Sequence, residues 1–180
     1  REKIVGKNLK IVFPEGNDER VLRAAARLKF EGLIEPIILG DAKEVRALLA
    51  KFGFADQDYV FINPAEYDKF DEMKEAFLEI RKGKVTPEEA ERLLQDVNYF
   101  GVMLVKLGLA DGMVSGAIHS TADTVRPALQ IIKTKPGISR TSGVFLMNRE
   151  TTEQRLVFAD CAINIDPTAQ ELAEIAVNTA

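Results

Sequence analysis

The feature that most constrains the fold is an alternation of short apolar runs and longer amphipathic segments over the first 62 residues. Each run is rich in β-branched or aliphatic residues and ends at a Gly, a Pro or an Asn, which is typical of strands. The segments between the runs place apolar residues at helical spacing. Strand–helix–strand units have right-handed crossovers, so they predict a mostly parallel sheet covered by helices. The predicted strands are residues 9–13, 33–39 and 59–62.

Polar capping residues mark the starts of the first two helices. The first helix is expected to begin at Asn17 or Asp18 and to end at Gly32, and the second to begin at Asp41. Pro36 lies inside the second predicted strand. Because proline has no backbone N–H, its presence favours an edge or a bulge for that strand.

Two further helices are predicted in the middle of the chain. Residues 65–84 are charge-rich with a helical period. Thr86 and Glu89, with a Pro at the first helical position, form a capping box, and the helix that they start is expected to run to Gly108. We expect these two helices to form a hairpin in or on the sheet.

The pattern changes towards the end of the chain. Residues 143–147 and 155–159 predict a hairpin-like strand pair, which departs from the earlier crossovers. We therefore predict a first α/β domain over residues 1–145 and the beginning of a second α/β domain over residues 146–180.

The last predicted helix bears on whether the second domain is complete in this sequence. Asp166 and Pro167 predict its start, and Leu172 and Ile175 form its apolar face. The chain ends at Ala180 inside this helical pattern, and an apolar helix face needs more chain to pack against. We therefore expect the second domain to be truncated.

The composition excludes several function classes. The 24 Lys and Arg residues are scattered and are outnumbered by 28 Asp and Glu residues, which leaves no electrostatic footprint for nucleic acid. No apolar run approaches the ~18 residues of a membrane helix. One Cys forms no internal disulfide, so a reducing cytoplasm is expected, and one His with one Cys gives no zinc site of nitrogen and sulfur ligands. Chemistry is therefore expected from Ser, Thr, Arg, Lys, Asp and backbone amides.

Residues 115–127 are the stretch best suited to such chemistry. They follow a short predicted strand, residues 113–116, and lead into a helix. Ligands of open α/β sheets bind beyond the carboxyl ends of the strands, and a helix N-terminus attracts phosphate through its free N–H groups and its dipole. Hydroxyl and guanidinium groups would add phosphate donors. The candidate donors are Ser120, Thr121, Thr124 and Arg126.

The same stretch has a plainer interpretation. Ser120 and Asp123 have the spacing of an ordinary helix cap, and Pro127 leaves open on which side of it the helix begins. His119 is expected to be structural or solvated rather than catalytic. Cys161 lies in an apolar stretch and is expected to be packed.

The loop after the first strand, residues 14–20, also has two interpretations. It is expected to cap a helix, and the alternative is a second ligand loop in which Arg20 is a donor. Walker A, G-x-G-x-x-G and G-x-S-x-G motifs are absent from the sequence.

Residues 115–134 are similar to the central signature of the phosphate acetyltransferases, or phosphotransacetylases. Shorter blocks that resemble the same family flank this run in the same order, so the resemblance covers essentially the whole chain. Family members are much longer, with two α/β domains and a cleft between them, and this chain resembles their N-terminal portion. The resemblance also implies an architecture like that of isocitrate and isopropylmalate dehydrogenases. The flanking blocks are residues 14–16, 136–137, 142–147, 160–164 and 167–174.

The resemblance implies reversible transfer of an acetyl group between acetyl phosphate and coenzyme A by direct attack of the thiol. It implies that phosphate is held by Ser120, Thr121, Thr124 and Arg126, and, less specifically, that Arg81 contacts coenzyme A. The catalytic residues are expected in the C-terminal part of the family's chain, so the present chain is expected to be inactive alone. Coenzyme A is expected as a substrate, with no metal and no tightly bound cofactor, in a cytoplasmic homodimer.

Three alternatives stay open from the sequence. One is a phosphate butyryltransferase or another acyl-phosphate transferase. The second is a non-catalytic, phosphotransacetylase-like regulatory domain of a larger enzyme. The third is a decarboxylating dehydrogenase with a nicotinamide cofactor and a divalent metal, whose metal carboxylates are not recognisable in this sequence.

Overall fold

The chain forms two compact units. The computed structural model describes residues 4–54, 58–152 and 154–180. The units are residues 1–132 and residues 133–180. The domain boundary predicted at residue 145 lies inside the first strand of the hairpin, whereas the structure groups that strand with its antiparallel partner, because the two strands form a sheet of their own.

Over its described residues, the first unit is built on a parallel sheet of four strands. The strands are β1 (Lys10–Phe13), β2 (Glu35–Leu39), β3 (Val60–Ile62) and β4 (Gly112–Met113). Their order is β3-β2-β1-β4, and every neighbouring pair is parallel. The prediction of an α/β fold with a mostly parallel sheet is therefore confirmed.

Pro36 lies in an inner strand, not in the edge strand that its presence favours. The N–H of Glu35 donates to the carbonyl of Leu9 on the β1 side. Successive N–H groups alternate between the two sides of a strand, so the nitrogen of Pro36 faces the β3 side. The pairing of β2 with β3 begins only at Ile37. Pro36 therefore removes no hydrogen bond from the ladder.

One face of the sheet is covered by α1 (Glu19–Phe30) and α2 (Ala42–Lys51). Asp18 and Asp41 cap these helices, and each side chain accepts hydrogen bonds from two backbone N–H groups. The predicted caps are confirmed, with Asp18 rather than Asn17 as the first. The helices bury an apolar cluster against β1 and β2, which includes Phe13, Leu22, Ile38, Val45 and Leu49.

The opposite face carries α3 (Phe70–Arg81), α4 (Pro87–Leu94), α5 (Val97–Lys106) and α6 (Thr121–Ile131), so the unit has three layers. Of these helices, α5 approaches the sheet closely at Gly101. A Cβ atom on Gly101 would lie 2.7 Å from Sδ of Met113 and 3.2 Å from Cγ1 of Val12. The absence of a side chain at this position therefore allows the close packing of α5 on β1 and β4.

Two of the predicted helices are divided in the structure. Residues 86–108 form α4 and α5 rather than one helix. Thr86 and Glu89 make the predicted capping box of α4, but Asp96 caps a new helix by accepting hydrogen bonds from backbone N–H groups. The prediction of one helix is wrong. It follows from an apolar stripe that continues across Asp96, but the side chain of Asp96 ends this continuity by capping the second helix. Similarly, a short 3₁₀ helix, Pro64–Glu66, precedes α3.

The second unit contains a hairpin and a helix. The strands β5 (Val144–Arg149) and β6 (Gln154–Ala159) are antiparallel and flank a 3₁₀ helix, Glu150–Thr152, so the predicted hairpin is confirmed. All residues of both strands are exposed. The helix α7 (Ala169–Thr179) begins after Thr168, which forms a capping box, and not at the predicted Asp166.

A carboxylate organises the loop that follows β6. Burial alone would raise the pKa of Asp160, but hydrogen bonds from backbone N–H groups and a side-chain amide outweigh it and hold that pKa well below its usual range. Cys161 is exposed, contrary to its predicted packing, because it lies on the turn around Asp160. The groups that donate to Asp160 are the N–H groups of Gly143, Ala162, Ile163 and Asn164 and the side-chain amide of Asn164.

Candidate functional site

The order in which strands are added to the sheet reverses at β1. From β1 the chain adds β2 and β3 on one side, whereas β4 is added on the other side. Ligands of open α/β sheets bind at the carboxyl ends of the strands where the order reverses in this way. The loops that follow β1 and β4 meet there through hydrogen bonds. The predicted stretch, residues 115–127, therefore begins at this switch point.

Glu15 occupies the crevice at the switch point. Its side chain is 1% exposed, and its two carboxylate oxygens accept hydrogen bonds of 2.8–3.1 Å from four consecutive backbone N–H groups. Burial alone would raise the pKa of Glu15, but the hydrogen bonds outweigh it and lower the pKa from 4.5 to about 2. The donors are the N–H groups of Gly116, Ala117, Ile118 and His119.

The imidazole of His119 makes a fifth contact with the same carboxylate. Nδ1 of His119 lies 2.9 Å from Oε1 of Glu15. An ionised carboxylate can only accept, so Nδ1 carries the proton in this contact. Nε2 has no hydrogen-bond partner in the part of the chain that the structure describes. The ring lines a cavity of about 280 Å³, which is mostly apolar and is also lined by Asn17, Leu39 and Asp41.

The N-terminus of α6 follows directly. Ser120 is the N-cap: its hydroxyl accepts the N–H of Asp123 at 3.2 Å and donates to that residue's carboxylate at 2.6 Å. The Thr124 hydroxyl donates to the carbonyl of Ser120 at 3.1 Å, and Thr121 is exposed. The capping interpretation is therefore confirmed, and phosphate binding by these hydroxyls stays a prediction. The helix begins six residues before Pro127, which lies inside it.

Arg126 faces a different cavity from His119. Its guanidinium lies 3.9 Å from the carboxylate of Asp123 and is 58% exposed at the side chain. The cavity, of about 280 Å³, has two arginines and two carboxylates in its walls, so its charges are balanced. Its lining residues are Arg92, Leu93, Asp96, Tyr99, Asp123 and Arg126. The predicted phosphate donors thus lie at the start and in the first turns of α6, and of these four residues Arg126 lines this cavity.

Arg81 lies towards the other end of α6. Its Nη1 donates to the carbonyl of Gln130 at 3.2 Å, and its Nε is buried without a hydrogen-bond partner. Gln130 is ten residues beyond Ser120, which corresponds to about 15 Å along a helix. The structure therefore separates Arg81 from the start of α6. Gln130 also contacts Tyr99, whose hydroxyl donates to its side chain at 3.0 Å. Since Tyr99 lines the same cavity as Arg126, Gln130 links Arg81 to that cavity.

The loop after β1 has the structural role expected of it. Asp18 caps α1, and Nη2 of Arg20 donates both to Asp18 and to the carbonyl of Ala117, at 2.8 Å in each case. Arg20 therefore ties this loop to the loop after β4. The predicted helix-capping interpretation of residues 14–20 is confirmed.

Sequence reasoning missed the central residue of this arrangement. Glu15 lies two residues beyond the inner strand β1, and an acidic residue at such a position is a signal that a switch-point argument could use. A second missed contact is the 2.7 Å hydrogen bond from the Ser115 hydroxyl to Oδ1 of the fully buried Asn98. In the described residues, no group of three or more His, Cys, Asp or Glu side chains is arranged to hold a metal ion, and none of the helices is both long and apolar enough to cross a membrane.

Known proteins match the chain over its whole length. A family model described as phosphate acetyl/butaryl transferase matches residues 1–180. The phosphate acetyltransferases of Bacillus subtilis (strain 168) and Staphylococcus aureus (strain MRSA252) are 53% and 54% identical over 180 residues. These 180 residues are all of this chain but 55% and 54% of those proteins, so the chain spans about half the length of the curated relatives it matches.

Solved structures match the fold as well. A phosphotransacetylase from Streptococcus pyogenes has a TM-score of 0.93 and 83% identity, with 98% of this chain and 54% of that chain covered. The EutD phosphotransacetylase from Staphylococcus aureus has a TM-score of 0.88 and 55% identity, with 98% and 53% covered. From this agreement in sequence and fold, we conclude that the chain belongs to the phosphate acetyl/butaryl transferase family.

Proposed function

We propose that this chain forms the phosphate-binding part of an enzyme that transfers an acetyl group reversibly between acetyl phosphate and coenzyme A. The observation that carries the proposal is the N-terminus of α6 at the carboxyl end of β4, where hydroxyls and free N–H groups follow the switch point. The names of the relatives, phosphate acetyltransferase and phosphotransacetylase, support it. The proposed phosphate donors are Ser120, Thr121, Thr124 and Arg126.

The proposed reaction needs no covalent enzyme intermediate. The thiol of coenzyme A gives up its proton as the sulfur attacks the acetyl carbonyl carbon, the bond from that carbon to the phosphate oxygen breaks, and phosphate leaves. In the reverse direction, phosphate attacks the thioester carbon, the carbon–sulfur bond breaks, and the sulfur takes up a proton as the thiol leaves. The helix dipole and the donors at α6 hold the phosphate and stabilise the charge that it gains as it leaves. We assign no base within this chain and propose the catalytic residues in the additional length that the relatives have.

Coenzyme A enters this proposal as a substrate, without a tightly bound cofactor. Arg81 is the proposed contact, and its buried, unpartnered Nε is a donor for which the described residues offer no acceptor. A cytoplasmic homodimer and an architecture like that of isocitrate and isopropylmalate dehydrogenases belong to the proposal as implications of the family resemblance. Butyryl phosphate, tested beside acetyl phosphate, decides between acetyl and longer acyl groups.

The experiment uses the full-length protein and follows thioester formation from acetyl phosphate and free coenzyme A. Replacing Arg126 with Ala is expected to raise the KM for acetyl phosphate at least ~10-fold, because a hydrogen bond to a charged group contributes about 1.5–3 kcal/mol. Arg27→Ala is the matched control, since Arg27 is exposed on α1 and pairs with Glu31 on the surface. A folded full-length protein that forms no thioester overturns the enzyme proposal and favours a regulatory domain.

A further inference from the structure

The crevice at the switch point has the form of an anion site that is filled from within the chain. Four consecutive N–H groups, those of residues 116–119, converge on one carboxylate at 2.8–3.1 Å. Consecutive backbone N–H groups of this kind bind phosphate and other anions. Here the anion is the side chain of Glu15, which is more than 100 residues away in sequence and 1% exposed. While Glu15 stays in place, these amides are not available to a ligand.

The start of α6 follows at the next residue. Ser120 caps α6, and the exposed Thr121 is the first residue of the helix. Because Glu15 holds the N–H and the ring of His119, it fixes the backbone immediately before this helix relative to β1. A displaced loop would carry the start of α6 with it, and a misplacement of about 1 Å can cost ~100-fold in rate.

We propose that Glu15 is a positioning residue, which fixes residues 116–119 and the His119 ring so that the N-terminus of α6 is held in place for the phosphate of the substrate. The inference rests on the proposed function. Glu15 itself does not touch the substrate and acts through the loop.

The orientation of the His119 ring is part of the same arrangement. The carboxylate accepts the proton on Nδ1, so in the neutral form of the ring Nε2 is the acceptor. Glu15 thereby selects one tautomer as well as one position of the ring. This selection gives the proposal a spectroscopic signature that is independent of enzyme activity.

The kinetic test replaces Glu15 with Gln in the full-length protein. Glutamine has nearly the same size as glutamate but only one acceptor oxygen. Its NH₂ group would face backbone N–H groups that donate to the second carboxylate oxygen in the wild type, so these donors would lose their acceptor. We expect the KM for acetyl phosphate to rise ~10–100-fold and the KM for coenzyme A to change less than ~2-fold. Glu19→Gln is the matched control, because Glu19 makes a surface ion pair with Arg23, and its kinetic constants should equal those of the wild type.

The second test measures amide hydrogen exchange and the ¹⁵N signals of the His119 ring, which are assigned by their absence in His119→Gln. In Glu15→Gln we expect faster exchange at residues 116–119 with unchanged protection of β1 and β2. We also expect the preference of the ring for the Nδ1–H tautomer to weaken, because a neutral amide oxygen is a weaker acceptor than a carboxylate oxygen. A merely structural role would lower protection throughout the unit and raise both KM values alike, which overturns the proposal.

The outcomes separate this inference from the proposed function. If the wild-type protein transfers no acetyl group, the proposed function is overturned, and the proposed positioning role in that reaction is overturned as well. An active wild type with unchanged KM and exchange in Glu15→Gln overturns the inference alone. If Glu15→Gln does not fold, Glu15→Asp keeps the charge with a shorter reach and should raise the KM for acetyl phosphate by a smaller factor. Wild-type kinetics and exchange in Glu15→Asp would then contradict the inference.

Discussion

Oε1 of Glu15 lies 2.9 Å from Nδ1 of His119, although 104 residues separate the two in sequence. This contact joins the loop after the inner strand β1 to the loop after the edge strand β4. Together with four backbone hydrogen bonds, it fixes the segment that leads into α6. The stability of the first unit and the geometry of its candidate site therefore depend on the same carboxylate.

The acid stability of the chain should depend on Glu15. Folding lowers its pKa from 4.5 to about 2, so the ionised side chain stabilises the fold above about pH 4.5, and this contribution is lost as the pH falls from about 4.5 to 2. Since one pKa unit corresponds to about 1.4 kcal/mol, the contribution is on the order of 3 kcal/mol. We expect Glu15→Gln to lower the free energy of unfolding by about this amount at neutral pH.

Urea denaturation at a series of pH values measures this effect. Between about pH 4.5 and 3 the free energy of unfolding of Glu15→Gln should depend less steeply on pH than that of the wild type. The Glu19→Gln control should keep the wild-type slope. Equal slopes for the wild type and Glu15→Gln would contradict the prediction.

Gly16 should tolerate no side chain. A Cβ atom at this position would lie 2.2 Å from the carbonyl oxygen of Leu39 and 2.8 Å from Cγ2 of Ile38. Because the first of these atoms belongs to the backbone of β2, the strand itself would have to move, and we expect Gly16→Ala to cost more than ~2 kcal/mol. Thermal denaturation measures the loss. In the control Gly112→Ala, the nearest atom is a flexible end of Ile11 at 3.4 Å, and a similar loss there would refute the explanation.

The hydroxyl of Ser120 should have two separable effects. As an N-cap it stabilises α6, so Ser120→Ala should lower the free energy of unfolding by about 1 kcal/mol. Thr86→Ala removes the corresponding cap of α4 and should cost about the same. If Ser120 also binds phosphate, only Ser120→Ala should raise the KM for acetyl phosphate in the full-length protein. Equal KM values in the two variants would leave Ser120 with the capping role alone.

Asp160 should stabilise the loop after β6 in the second unit. Four backbone N–H groups and the Asn164 amide donate to its carboxylate, so Asp160→Ala would leave these donors without their acceptor. We expect faster amide exchange at Gly143 and at residues 162–164. Asp166→Ala is the control, because Asp166 is exposed and lies outside α7. Unchanged exchange in Asp160→Ala would refute this role.

The sequence is a good guide to those parts of the fold that depend on neighbouring residues. Asp18, Asp41 and the pair Thr86 and Glu89 act on N–H groups within three residues, and all of them cap helices as predicted. The break at Asp96 is missed because the apolar stripe of the two helices is continuous across it. At Pro36 the sequence pattern is misleading, since the effect of a missing N–H depends on how far the neighbouring strand β3 reaches.

The candidate site is harder to predict from the sequence, because its central contacts join residues that are distant in the chain. Residues 115–127 are found from a local pattern, and the structure puts their start at the switch point. Only its position two residues beyond β1 distinguishes Glu15 from other loop carboxylates, and that position is informative only when the strand order is known. Its importance comes from the meeting of two loops more than 100 residues apart. The separation of Arg81 from the start of α6 likewise requires knowledge of how α3 packs on that helix.

The pairing of β1 with β4 also determines when this unit can be completed during synthesis. Ile11 and Val12 pair with Gly112 and Met113, so β1 lacks one neighbour until about 100 further residues have left the ribosome. The amides that donate to the Glu15 carboxylate in the fold belong to residues 116–119 and are made only after that interval. Contacts of such long sequence separation slow folding. The nascent chain can thus assemble β1, β2 and α1 early, but the candidate site forms only after the loop that precedes α6 has emerged.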